Sequence, residues 1–193
     1  MDLKKILDDL GCERNIFHNE ADFQLTLLRK IISQYDANRL CLEYGKKDVH
    51  LDIVINNKKE EPNIGIELKY ATIAKQIEEE VCGQNEVFRL KDHKGHTYKR
   101  YGFWIDVRRL QDFVNIHSDR VGFVVFLSND STYWSRSGQG TSSLIDNREI
   151  NEGEVISFSY NKKQYNIKCN NSYKLKWRDY GILGFKYLLL KVL

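Results

Sequence analysis

Residues 64–70 of this chain are IGIELKY, and residues 50–55 are HLDIVI. Each run is apolar enough to form a buried strand, yet the first contains Glu67 and Lys69 and the second contains Asp52. Side chains along a strand alternate between its two faces, so we expect Glu67 and Lys69 to lie on one face and the apolar residues between them on the other. Unpaired charges at buried positions are costly. These three side chains are therefore the first candidates for a functional site.

The composition is that of one globular domain. A chain of 193 residues is long enough for one sizeable core, and 41% hydrophobic residues can fill it. We therefore expect a single domain over residues 1–193. The formal net charge of +3 permits nucleic-acid binding without requiring it.

The cysteine spacing and the hydropathy exclude several classes of protein. The four cysteines form no CxxC pair, which argues against a structural zinc site. No apolar run approaches the length of a membrane span, and the first residues do not resemble a signal peptide. We therefore expect a cytoplasmic protein with reduced thiols and no membrane partner.

Hydrophobic periodicity predicts the order of the elements. Helices are expected at 1–11, at 19–35 with Asn19 as the N-cap, and at 101–117. Residues 72–90 have mixed charge and are expected to contain at most a short helix. Strands are expected at 39–44, 50–55, 64–70 and 121–127, joined by polar connections at 45–48 and 56–63, and in a C-terminal set at 154–160, 164–169, 173–177 and 185–192.

This order predicts an α/β fold with a central mixed β-sheet flanked by helices. The continuous apolar run at 121–127 is typical of a central buried strand. The core would cover about residues 19–128. A polar loop at 128–153 and additional β-strands would form a C-terminal extension over about 129–193.

The arrangement resembles the PD-(D/E)xK nuclease superfamily, whose members have a restriction-endonuclease-like fold. The resemblance rests on a helix, three strands with Asp52 in the second and Glu67-x-Lys69 in the third, a second helix and a further strand. Leu51 stands where the family signature has proline. The resemblance implies a Mg²⁺- or Mn²⁺-dependent hydrolase that cleaves DNA phosphodiester bonds. It also implies DNA as the partner and, for cleavage of both strands, a homodimer.

The same resemblance assigns roles to individual residues. Asp52 and Glu67 would bind the metal, and Lys69 would orient or activate the attacking water. Carboxylates suit these hard cations, and a cation beside the lysine would favour a lowered lysine pKa. In part of the superfamily, a Glu at the start of the first core helix joins the metal site, and Glu20 occupies that place. The alternative for Glu20 is a helix N-terminal residue favoured by the macrodipole.

A basic cluster is the candidate for binding nucleic-acid phosphates. It consists of Lys99 and Arg100, expected just before the second long helix, and Arg108 and Arg109 within it. The alternative is a solvated helix face without a ligand.

Two other interpretations of the candidate site remain. Asp52, Glu67 and Lys69 could form a structural ion pair in a β-rich interaction protein, although a simple pair of Glu67 with Lys69 leaves Asp52 without a role. The chain could also be a non-catalytic member of the same fold that binds nucleic acid or a protein.

Overall fold

The computed structural model describes residues 1–33, 40–46, 49–56, 63–81, 83–135 and 144–193. These residues form three α-helices, namely α1 (Leu3–Glu13), α2 (Glu20–Ile32) and α3 (His96–Val114). Their strands are β1 (Leu40–Lys46), β2 (Val49–Ile55), β3 (Asn63–Ala71), β4 (Lys75–Val81), β5 (Gln84–Leu90), β6 (Arg120–Ser128), β7 (Arg148–Ile150), β8 (Val155–Tyr160), β9 (Lys163–Lys168), β10 (Tyr173–Leu175), β11 (Trp177–Tyr180) and β12 (Phe185–Val192).

A six-stranded sheet lies at the centre of the molecule, in the order β1-β2-β3-β6-β12-β11. Its neighbouring strands are antiparallel except β3 and β6, which are parallel and occupy the two middle positions. The predicted α/β class with a central mixed sheet is therefore confirmed, as is the buried central strand at 121–127.

Helices cover both faces of this sheet. The helices α1 and α2 pack on one face against a core that includes Ile53, Ile66, Leu68 and Tyr70. The helix α3 packs on the other face, together with the hairpin β8–β9 and the two-stranded antiparallel sheet of β7 and β10. The alternating residues of β3 therefore face two different cores, and Glu67 and Lys69 are on the α3 side.

The helix α2 forms as its sequence predicts. The side chain of Asn19 accepts a hydrogen bond from the N–H of Asp22 at 2.9 Å, which caps the first turn. Phe23, Leu27 and Ile31 are buried at helical spacing. Glu20 is the first residue of this helix, so its side chain lies at the end that is nearest to β3.

Two glycines let α3 approach the sheet closely. Gly65 and Gly122 are register partners on β3 and β6. A Cβ atom at Gly122 would lie 2.9 Å from Cβ of Leu110, and one at Gly65 would lie 3.1 Å from its Cδ2. Only glycine fits at such a close contact. This approach brings the polar residues of α3 within reach of Glu67 and Lys69.

Two predictions about the segment after β3 are wrong. Residues 72–90 contain the hairpin β4–β5 instead of a short helix, because Phe88 and Leu90 alternate into the core and Gly83 takes a left-handed φ of 78° at the turn. The helix α3 begins at His96 instead of 101 and ends at Val114. Gly95, with a φ of 90°, precedes its first turn.

The remaining boundaries differ by a few residues. The C-terminal strands form close to their predicted positions, although the run at 173–177 divides into β10 and the start of β11. Parts of the predicted connections at 45–48 and 56–63, and of the polar loop at 128–153, lie outside the described residues. Among the described helices, none combines the length and apolar character needed to span a membrane.

Candidate active site

The candidate site lies where β2 separates from β3. Within the described residues, the ladder between these strands ends at the pair Ile53 and Ile66, while β3 continues to Ala71. Two carboxylates then take the place of the strand partner. Asp52 Oδ2 accepts the N–H of Leu68 at 2.6 Å. Glu20 Oε2 accepts the N–H of Tyr70 at 2.8 Å.

The backbone is distorted beside Asp52. Glu43 of β1 lies between two register pairs, opposite Asp52, and has a φ of 47°. The alternation of β2 also breaks, because Leu51 packs in the α3-side core, as Val54 does, whereas Ile53 packs in the opposite one. Left-handed conformations of residues other than glycine are strained and concentrate at functional sites. The distortion directs the Asp52 carboxylate towards β3 in the plane of the sheet.

An amide from α2 holds this distorted segment. Gln24 Nε2 donates to Glu43 Oε1 and to the backbone oxygen of Asp52, each at 2.9 Å. Beside it lies a cleft of about 360 Å³. Its described lining includes three carboxylates and no lysine or arginine; the lining residues are Asn19, Glu20, Ala21, Gln24, Glu43, Asp52 and Leu68.

On the α3 side, Glu67 and Lys69 have partners other than each other. Lys69 Nζ lies 2.5 Å from Asp106 Oδ2. Arg109 Nη1 lies 3.1 Å from Glu67 Oε1, an ion pair without hydrogen-bond geometry, and Arg109 Nη2 donates to Asp106 Oδ1. Glu67 and Asp106 are both buried. The alternative of a simple pair of Glu67 with Lys69 is therefore replaced by a network of two acidic and two basic residues.

Gly102 makes room for the lysine. A Cβ atom at this position of α3 would lie 3.0 Å from Lys69 Cε. The side chain of Lys69 therefore runs along the backbone of α3 and reaches Asp106 one turn further on.

The acids of the site raise one another's pKa values. Burial, with the charges of Asp106 and Asp52, raises the pKa of Glu67 to about 10. Burial also raises the pKa of Asp52. The hydrogen bond from Leu68 lowers this pKa, whereas the charges of Asp106 and Glu20 raise it further. Like charges in a low-dielectric site repel one another and disfavour ionisation. A bound cation would offset this repulsion between the carboxylates.

The pKa of Lys69 depends on the carboxylates around it. Burial lowers its pKa, but the ion pair with Asp106 and the nearby carboxylates of Glu20 and Glu67 outweigh burial, so that the pKa is raised. The side chain of Lys69 is therefore a cation and a hydrogen-bond donor.

The structure places Glu20, Asp52, Glu67 and Lys69 around one segment of β3, as the sequence predicts. The argument that Asp52 lacks a structural role is wrong, since Asp52 accepts the N–H of Leu68. Sequence reasoning also missed Asp106. Its signal was a carboxylate within the apolar stripe of a predicted helix, between Trp104 and Val107.

The four predicted phosphate-binding cations do not share one surface. At 100° per residue, Lys99, Arg100, Arg108 and Arg109 point in four directions around α3. Arg100 is buried and donates to the backbone oxygen of Thr132 at 2.6 Å. Arg109 belongs to the ion-pair network, Arg108 is exposed, and Lys99 is half-buried. The prediction that these four cations form one cluster is therefore wrong.

The donor set fits a hard divalent cation in part. No three acidic, histidine or cysteine side chains among the described residues already surround one point at coordinating distance. Mg²⁺, however, is usually held by one or two carboxylates and several waters. Asp52 and Glu67 supply two such carboxylates, and the bonds to Leu68 and Tyr70 engage only one oxygen each of Asp52 and Glu20.

No protein family model, no curated protein and no solved structure matches this chain.

Proposed function

We propose that this protein is a metal-dependent nuclease with a restriction-endonuclease-like core that hydrolyses DNA phosphodiester bonds. The observation that carries the proposal is the convergence of Asp52, Glu67 and Lys69 at the point where β2 leaves β3. Two carboxylates and a cation in a partly enclosed site match what phosphodiester hydrolysis requires. The order of elements around them agrees with the resemblance to the PD-(D/E)xK superfamily.

Each residue has a distinct task in this proposal. Asp52 and Glu67 would hold Mg²⁺ or Mn²⁺, and Glu20 would add a third carboxylate from the start of α2. When bound, such a cation lowers the pKa of its water and offsets negative charge on the phosphate. Lys69, protonated beside Asp106, donates hydrogen bonds to the water or to a phosphate oxygen. Arg109 and Asp106 keep the Glu67 and Lys69 side chains in place.

A second candidate is supported by a specific observation. The acidic and basic side chains on the α3 side of β3 contact one another within one network, and Asp52 and Glu20 already accept backbone N–H groups. These contacts are sufficient for a non-catalytic protein of this fold that binds nucleic acid or a protein, because such a protein needs the residues only for stability. Such a protein has no requirement for a divalent cation, which separates the two candidates experimentally.

The test is a cleavage assay on supercoiled and linear DNA with Mg²⁺, with Mn²⁺ and with a chelator. The wild-type protein should cleave only with metal. Lys69→Met should reduce the rate by about 100-fold or more. Lys5→Met, at an exposed lysine of α1, should leave it unchanged. Metal-dependent cleavage retained by a folded Lys69→Met protein would overturn the assignment. DNA retention without any cleavage by the wild-type protein would favour the non-catalytic candidate.

A further inference from the structure

A partly exposed group of tyrosines lies between α3 and the β8–β9 hairpin. Tyr101 stacks on Phe158 with ring centroids 4.5 Å apart, and Phe158 stacks on Tyr165 at 5.3 Å. Tyr98 and Tyr160 meet edge to face at 5.6 Å. Phe158 is buried and anchors the group, whereas Tyr98 is 59% exposed and the other tyrosines are half-buried. We call the four tyrosines the tyrosine surface.

Cations border this surface. Lys163 is the register partner of Tyr160, so its side chain lies on the same face of the hairpin. Lys162 precedes it in the turn, with a φ of 62°, and both lysines are exposed. Lys94 is exposed just before α3. Aromatic rings with lysines around them are the combination that binds the bases and phosphates of a single strand.

The tyrosine surface lies close to the candidate active site. Tyr98 is one helical turn before Gly102 on α3, and residues four apart lie on the same face of a helix. The backbone of Gly102 packs against the Lys69 side chain. The axial rise between the two positions is about 6 Å, so a ligand bound at Tyr98 would lie about one helical turn from the segment of α3 that contacts Lys69.

We propose that the tyrosine surface binds single-stranded DNA by stacking bases on Tyr98 and Tyr160, with Lys163 contacting the backbone. The choice of DNA as the polymer rests on the proposed nuclease function. The choice of a single strand rests on the rings, because bases in a duplex are already stacked on each other and only unpaired bases present a face to an aromatic side chain. The strand would then pass Gly102 towards Lys69.

The test is fluorescence anisotropy with a labelled oligothymidine in a chelator, where no metal-dependent cleavage occurs. Tyr98→Ala should raise the Kd by about fivefold or more, whereas Tyr98→Phe, which keeps the ring, should stay within about twofold of the wild type. Ile182→Ala, at an exposed residue of the β11–β12 turn, is the matched surface control and should change nothing. Binding of a labelled duplex should be insensitive to Tyr98→Ala.

Three results would overturn the proposal: no binding of the oligonucleotide by the wild-type protein, an unchanged Kd in Tyr98→Ala, or an equal loss of duplex binding. Cleavage with Mg²⁺ is measured separately, so the two proposals fail in different ways. If binding depends on Tyr98 but no cleavage occurs, the nuclease proposal is wrong and the tyrosine surface still binds DNA. If cleavage occurs but Tyr98→Ala leaves the Kd unchanged, the proposal for the tyrosine surface is wrong and the nuclease proposal stands.

Discussion

On the α3 side of β3 the acidic side chains lie beside lysine and arginine, whereas on the α2 side carboxylates line a cleft whose described residues include no lysine or arginine. The first side has two buried acids, Glu67 and Asp106, against Lys69 and Arg109. On the second side, Asp52 and Glu20 accept backbone N–H groups from β3.

Charged residues therefore have two different roles along this short segment of β3. A matched buried network is destabilised strongly when one member is removed, because its partner is left buried and uncompensated. Asp52 and Glu20 each use one carboxylate oxygen for the backbone of β3, and both line the cleft, so under the proposed function a cation would bind there. Removal of a residue on the α3 side should therefore cost the most stability, and the cation of the proposed function would enter from the α2 side, where Asp52 and Glu20 lie.

The largest effect is expected from Asp106→Ala. Removing this buried carboxylate leaves Lys69 and Arg109 with unbalanced charge, so the free energy of unfolding should fall by about 3–5 kcal/mol. Asp179→Ala is the control, since the Asp179 side chain is 84% exposed in its pair with Lys186 and should cost about 1 kcal/mol or less. Urea denaturation measures both. Equal losses in the two variants would mean that the α3-side network is not formed.

Substitution of Asp52 should have a smaller effect that depends on the replacement. Asp52→Ala leaves the N–H of Leu68 without its acceptor and should cost about 1–3 kcal/mol of unfolding free energy. Asp52→Asn keeps an oxygen at that position and should cost less than half as much. Thermal and urea unfolding would show the difference. If the two variants were equally unstable, the contact with Leu68 would not be the structural role of Asp52.

Glu67 should make stability dependent on pH. Its pKa is raised from an ordinary value of 4.5 to about 10, so between these values the folded protein holds a proton that the unfolded chain has lost. This contribution to stability is complete at low pH and is lost as the pH rises, with a slope of up to about 1.4 kcal/mol per pH unit. Urea unfolding from pH 6 to 8 should show a flatter profile for Glu67→Gln than for the wild type. Parallel profiles would contradict the assigned protonation.

Gln24→Ala should have the smallest effect. The variant loses the amide that joins α2 to Glu43 and Asp52, at a cost of about 0.5–1.5 kcal/mol of unfolding free energy. Gln76→Ala, at an exposed position of β4, is the control and should be neutral. Under the proposed function, Gln24→Ala should also weaken the response to metal, because Asp52 is no longer held. A metal response identical to that of the wild type would remove Gln24 from the site.

The sequence predicted those parts of the fold that depend on local periodicity. The apolar runs of β2, β3 and β6 and the stripe of α2 were found because burial on a face follows period two or 3.6. The shared face of Glu67 and Lys69 follows from the same rule. The hairpin β4–β5 was missed because its mixed charges conceal the alternation of Phe88 and Leu90.

The contacts within the site could not be predicted in this way. Asp106 reaches Lys69 only because α3 packs closely on the glycines of β3 and β6, which is a tertiary property. The direction of Asp52 depends on where β2 leaves β3, and a strand pattern predicts no such separation. Arg109 looked like a surface cation because nothing in its own segment indicates the buried Glu67 and Asp106 that bind it.

The most direct test of the account is calorimetric titration of Mn²⁺ into the wild-type protein, Asp52→Asn and Asp179→Asn. The account predicts saturable binding by the wild type and by Asp179→Asn. The second variant is the control, because Asp179 is an exposed carboxylate that does not line the cleft. The account also predicts loss of that binding in folded Asp52→Asn. No saturable heat with the wild type, or the same isotherm for Asp52→Asn, would contradict the assignment of Asp52 to a metal site.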